Sequence, residues 1–129
     1  MIYVHVPFCR SFCTYCDFYS EIASKCRGCH DDERMLGYSD SLVREIELRR
    51  SEIEAVAATQ NTLYIGGGTP SVLPLSVFRQ ALQALDAAGA KGPYKEFTVE
   101  VNPEDIVEKG PQYVEQLLGL GVNRISMGI

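Results

Sequence analysis

Thr62-Leu63-Tyr64-Ile65-Gly66-Gly67-Gly68-Thr69-Pro70 is the stretch that decides the fold. A short apolar run leads straight into three glycines and a Thr-Pro pair, which reads as a buried strand ending in a tight turn. After the turn, Val77, Phe78, Ala81, Leu82 and Leu85 recur at helical spacing. Before the strand, Leu42, Val43, Ile46, Ile53, Val56 and Ala57 do the same, predicting a helix over about 38–56 with Ser39 or Asp40 as its candidate cap. Further out, residues 1–6 read as a short apolar strand, Phe97-Thr98-Val99-Glu100-Val101 as a third strand and Val122 to Met127 as a fourth. Between the last two, Pro111 suits the first turn of a helix, Tyr113, Val114, Leu117 and Leu118 give it an apolar face, and Gly121 stops it.

Strands and helices in alternation predict an α/β fold with a parallel sheet and right-handed crossovers. Functional groups in such folds gather at the carboxyl ends of the strands. Three motifs fall there: the segment after residue 6, the glycine run, and Glu100-Val101-Asn102-Pro103. The last residues form an apolar strand that would need neighbours on both sides, so the chain is expected to be the N-terminal part of a longer protein.

The segment after the first strand holds Cys9, Cys13 and Cys16, a C-x3-C-x2-C triplet. A four-iron cubane cluster normally takes four thiolates, so three leave one iron open to a ligand from outside the protein. A zinc knot is the duller reading of the same residues, as a plain turn is of the glycine run and a solvated strand end is of Glu100. His5 alternates with apolar residues, which suits a hydrogen-bonded core histidine as well as a catalytic one. Tyr3 reads equally as packing, and Arg124 as the partner of a structural carboxylate. Residues 21–37 form a polar insertion containing Cys26-Arg27-Gly28-Cys29-His30. Two thiolates and an imidazole make part of a zinc site without a convincing fourth ligand, and a surface loop is the alternative.

Composition is ordinary for a globular protein, with 46% hydrophobic and 22% charged residues. A net charge of -5 disfavours nucleic acid as a partner. No apolar run approaches the ~20 residues of a membrane span, and no basic region followed by an apolar core opens the chain. Five cysteines, three at metal-ligand spacing, suit a reducing compartment. A cytoplasmic protein that is not integral to a membrane is the expectation.

The cysteine triplet with Tyr15 before its last member, and Gly66-Gly67-Gly68-Thr69-Pro70 further on, resemble the radical S-adenosylmethionine superfamily. Tyr3-Val4-His5-Val6-Pro7-Phe8-Cys9, Cys16-Asp17-Phe18-Tyr19-Ser20, Glu100-Val101-Asn102-Pro103-Glu104 and Asn123-Arg124-Ile125-Ser126-Met127-Gly128 narrow the likeness to the oxygen-independent coproporphyrinogen oxidase family. Decarboxylating members carry a further cysteine two residues after the triplet; Phe18 stands there, which moves the resemblance toward the HemW-like branch of heme chaperones.

The resemblance implies the N-terminal part of a parallel (β/α)6 partial TIM-type barrel, about three strand–helix units and a fourth strand. It implies a [4Fe-4S] cluster on Cys9, Cys13 and Cys16, whose open iron takes the amino and carboxylate groups of S-adenosylmethionine. Tyr3, Tyr15, Gly67, Gly68, Thr69 and Glu100 match the family's contacts to that cofactor, with N–H groups of the glycine run facing its carboxylate. Heme or a porphyrinogen, an electron donor such as a flavodoxin or ferredoxin, and a heme-recipient protein follow as partners, and heme as a further ligand. Three functions are compatible: a heme chaperone, a radical decarboxylase acting on coproporphyrinogen III, and an inactive remnant.

Overall fold

Along the first strand, β1 (Ile2–Val6), Val4 and Val6 are buried while Tyr3 and His5 face outward. This is the period-two signature of a strand covered on one face only. The computed structural model describes residues 1–9, 21–22 and 33–127. β1 is followed by β2 (Phe8–Cys9), β3 (Glu21–Ile22), α1 (Glu33–Leu48), α2 (Arg50–Thr59), β4 (Thr62–Gly67), α3 (Leu75–Ala87), β5 (Glu96–Val101), α4 (Pro103–Lys109), α5 (Pro111–Gly119) and β6 (Arg124–Met127). β1, β4, β5 and β6 make one parallel sheet in that order, and β2 pairs with β3 in a separate short ladder.

An all-parallel sheet wound in sequence order has no point at which the winding reverses. Right-handed crossovers therefore lay every helix on the same face, as in a barrel and unlike a doubly wound sheet. Val4, Val6, Leu63, Ile65, Phe97 and Val99 point to the helices and meet Met35, Ile46, Val77, Phe78, Leu85, Tyr113 and Leu117 in one core. The opposite face carries Tyr3, His5, Tyr64, Gly66, Thr98, Glu100, Arg124 and Ser126. The register sets Tyr3 beside Tyr64, His5 beside Gly66, Tyr64 beside Thr98, and Glu100 beside Ser126.

The single helix expected over about 38–56 is two helices, α1 and α2, joined at Arg49. The break is slight, because Arg49 N–H still reaches the Glu45 carbonyl and Ile53 N–H the Arg49 carbonyl. Ser39 does not cap: it lies inside α1, is buried, and its hydroxyl donates to Gln80 of α3. The helix starts earlier because Met35 is an additional core residue, so residues 33–37 belong to α1 and not to the polar insertion. Helix α4 was not expected. Asn102 caps it by accepting from Glu104 N–H at 2.8 Å, and Pro103 opens it. Apolar periodicity misses α4 because its one buried residue is Asp105. Among the described residues no helix is long and apolar enough to cross a membrane.

Candidate functional site

The polar face of the sheet converges at the carboxyl ends of β1, β4 and β5. There the Gly67 N–H donates to Glu100 Oε1 at 2.8 Å, tying the glycine run to the next strand. Tyr64 lies beside the same carboxylate, and its pKa is raised, by desolvation first and by Glu100 second. Tyr3 stacks on Tyr64 with ring centroids 5.7 Å apart, and its hydroxyl lies 3.3 Å from His5 Nδ1. Its pKa is likewise raised, by partial burial and then by the negative charge of Glu100. Both phenols therefore stay neutral and can act as donors beside a carboxylate throughout the physiological range.

The glycines are required by space. A Cβ on Gly66 would fall on the Glu100 carboxylate and 2.6 Å from Tyr64 Cε1. On Gly67, at φ 116°, it would lie 2.7 Å from both the Val6 carbonyl oxygen and His5 Nδ1. The backbone here comes as close to its neighbours as glycine permits. Beyond it, Gly68 N–H donates to the Val6 carbonyl at 2.7 Å and Thr69 N–H to the Phe8 carbonyl at 2.5 Å. The run is thereby sewn to the strand that leads into Cys9. The N–H groups of Gly67, Gly68 and Thr69 are thus all engaged within the protein, and the carboxylate that Gly67 meets is the chain's own Glu100.

Of the residues singled out from the sequence, Tyr3, Gly67, Gly68, Thr69 and Glu100 come together at this rim. Tyr15, Cys13 and Cys16 lie outside the described residues, as do Phe18, Cys26, Cys29 and His30; Cys9 is placed by its backbone in β2. The core reading of His5 is corrected: it sits exposed on the polar face, because odd positions of β1 face away from the helices. Tyr3 is half exposed on the same face and packs there by stacking on Tyr64. Arg124 pairs with Glu96 at 2.9 Å on the surface, the structural role expected of it. Tyr64 and Ser126 escaped sequence reading. Their signal is strand parity: Tyr64 lies two residues before Gly66, and Ser126 stands opposite Glu100.

A parallel sheet wound one way, with a glycine run and a strand-end carboxylate on its open face, defines part of a barrel-type α/β protein, a class whose ligand sites lie at the carboxyl rim of the strands. The chain belongs to the radical SAM superfamily, whose sequence pattern matches residues 3–129. Membership implies a [4Fe-4S] cluster and S-adenosylmethionine as cofactors.

The chain is 32% identical over 128 residues to the oxygen-independent coproporphyrinogen III oxidase of Paracoccus denitrificans, covering 99% of this chain and 26% of that protein. It is 35% identical over 127 residues to the heme chaperone HemW of Lactococcus lactis, covering 98% and 29%. The structure of coproporphyrinogen III oxidase (HemN) from Escherichia coli, described as a radical SAM enzyme, matches with a TM-score of 0.72 at 27% identity. That match covers 99% of this chain and 27% of HemN. The chain thus spans between a quarter and a third of the length of these relatives.

Proposed function

We propose that this chain is the cofactor-binding part of a HemW-like heme chaperone that works in the cytoplasm. The choice of branch is carried by Phe18, which occupies the position where decarboxylating relatives have a further cysteine. Cys9, Cys13 and Cys16 would hold the cluster, and Tyr3, Tyr15, Gly67, Gly68, Thr69 and Glu100 would hold S-adenosylmethionine. When bound, that pair supplies one-electron reductive cleavage of a sulfonium; the protein supplies binding and orientation.

The residues present fit such a ligand. Gly66 has no side chain to displace the Glu100 carboxylate, which lies where its Cβ would stand, and Gly67 lets the loop pass close to the Val6 carbonyl and His5. An ionised carboxylate offers about four acceptor positions, so Glu100 can retain the Gly67 N–H and still accept from ribose hydroxyls. The Gly67 N–H fixes its orientation before any ligand arrives, which lowers the ordering cost of binding. Heme or a porphyrinogen, an electron donor such as a flavodoxin or ferredoxin, and a protein that receives heme complete the proposed partners.

The likeness to coproporphyrinogen oxidases supports a second reading, oxidative decarboxylation of coproporphyrinogen III. Anaerobic reconstitution of the full-length protein tests both. The expected result is a reducible four-iron cluster whose EPR signal changes on adding S-adenosylmethionine, heme binding, and no coproporphyrinogen turnover. Cys13→Ala should abolish the cluster, and Phe18→Cys should not by itself create turnover. Decarboxylation by the wild-type protein would reject the chaperone reading.

A further inference from the structure

Ser71, in the 3-10 turn Pro70–Val72 just after the glycine run, is completely buried and polar. Its hydroxyl donates to Asp105 Oδ2 at 2.6 Å and accepts the Asn102 N–H at 3.1 Å. Its carbonyl accepts from the Lys109 ammonium. Asp105 is itself 2% exposed. A carboxylate this deep is costly to desolvate and needs its hydrogen bonds to be tolerated there, yet neither Ser71 nor Asp105 has a place in the cofactor site described above.

Their position shows what they do. Gly67 is tied to Glu100 on one side of the loop. Ser71 is tied to Asn102, two residues past Glu100, and to Asp105 on the other. Gly68 and Thr69, between these ties, are held to the Val6 and Phe8 carbonyls. The glycine–threonine segment is thus fixed at one end to Glu100 of β5, at the other to Asn102 and Asp105 just beyond that strand, and in its middle to the approach to Cys9.

We propose that Ser71 and Asp105 are positioning residues for S-adenosylmethionine. They act through the backbone of residues 67–72 and 100–102, holding Glu100 and the glycine run at one separation. The proposal rests on the cofactor reading above and assigns the two residues a part in it.

The test uses the full-length protein with Ser71→Ala, Asp105→Ala and Asp105→Asn, and with Leu85→Ala as a core control at the far end of α3. Amide exchange is followed without cofactors, and S-adenosylmethionine binding is measured after reconstitution. Ser71→Ala and Asp105→Ala should expose segments 67–72 and 100–106 together. Both should weaken S-adenosylmethionine on the order of tenfold, the scale of a buried hydrogen bond left unmade, with iron per chain unchanged. Asp105→Asn keeps an acceptor for the Ser71 hydroxyl and should restore most of the affinity. Affinity falling no further than in Leu85→Ala at equal loss of Tm would overturn the proposal, as would exchange confined to 67–72. A wild-type protein that takes up the cluster but no S-adenosylmethionine sinks the cofactor reading instead. The coupling of the two segments is then decided by exchange alone, joint exposure upholding it and separate exposure rejecting it.

Discussion

Gly67→Ala probes how closely the backbone of the rim is built. The residue has φ 116°, a region where an L side chain costs ~1–2 kcal/mol. The new methyl would also stand 2.7 Å from His5 Nδ1 and from the Val6 carbonyl oxygen. His5 is exposed and can swing aside. The Val6 carbonyl cannot, because it lies in the sheet and accepts the Gly68 N–H at 2.7 Å. Overpacking of this kind adds about 1–3 kcal/mol, for a total of roughly 2–5 kcal/mol. Urea unfolding of the protein carrying this chain gives the value. Gly110→Ala is the reference: its φ is also positive, at 75° with ψ -175°, a region almost confined to glycine, but nothing lies within 4 Å of its Cβ position, so it reports backbone strain alone, ~1–3 kcal/mol. Gly67→Ala should exceed it, and adding His5→Ala should not rescue the loss. Equal costs at the two glycines, or full rescue by His5→Ala, would refute the argument that the Val6 carbonyl is the obstacle.

Gly37 lies within α1 with open space around its Cβ position, so Gly37→Ala should stabilise the protein by ~0.5–1 kcal/mol in the same unfolding experiment. Asn102→Ala removes the acceptor of Glu104 N–H and should cost ~1 kcal/mol, with Asn102→Asp recovering most of it. Tyr94 has its pKa raised to about 12, chiefly by burial and secondarily by Asp86. Because the folded value lies above the unfolded value near 10, its contribution is fully present below about pH 10 and is lost as pH rises through about 12. Tyr38 and Tyr113 are raised in the same direction, in each case chiefly by burial. Absorbance of the phenolate should therefore rise in part only as circular dichroism reports unfolding; complete tyrosine ionisation with native dichroism would contradict these burials.

The four strands of the main sheet, the helix α3 and the end of α5 were legible because apolar spacing and turn residues agreed there, whereas the two-residue strands β2 and β3 are too short to show a period. Val77, Phe78 and Leu85 are buried as their spacing requires, and Gly121, at φ 103°, follows the last helix. The start of α1 was not legible, because Met35 and Leu36 sit between a charged run and Gly37, and Ser39 looks like a cap while serving as a buried donor. Helix α4 was hidden by its polar interior, Asp105. At the site, Glu100 and the glycine run were found by motif. Tyr64 is hidden among its neighbours because β4 is buried on both faces at Thr62, Leu63, Ile65 and Gly66, so apolar content alone does not separate the residue that faces Glu100 from those under the helices. The partnering of the glycine N–H groups could not be read at all, since it depends on where the Val6 and Phe8 carbonyls and the Glu100 side chain lie in space.

Alternation along the strands explains how one sheet serves both the core and the site. Leu63, Ile65, Phe97 and Val99 are the helix-facing residues of β4 and β5, and Tyr64, Gly66, Thr98 and Glu100 are the residues between them. Slipping either strand by one residue would drive Glu100 or Tyr64 under the helices and turn Phe97 or Leu63 outward. Burying a Val, Leu or Phe side chain is worth ~1.5–3 kcal/mol, and an unpaired carboxylate in the core costs several more, so the slipped sheet is strongly disfavoured. The apolar residues thus set the register, and the register brings the Gly67 N–H within 2.8 Å of Glu100. Conservative changes in the helix-facing row act on the site only by loosening that register, whereas changes on the polar face alter the site while leaving the force that aligns the strands intact.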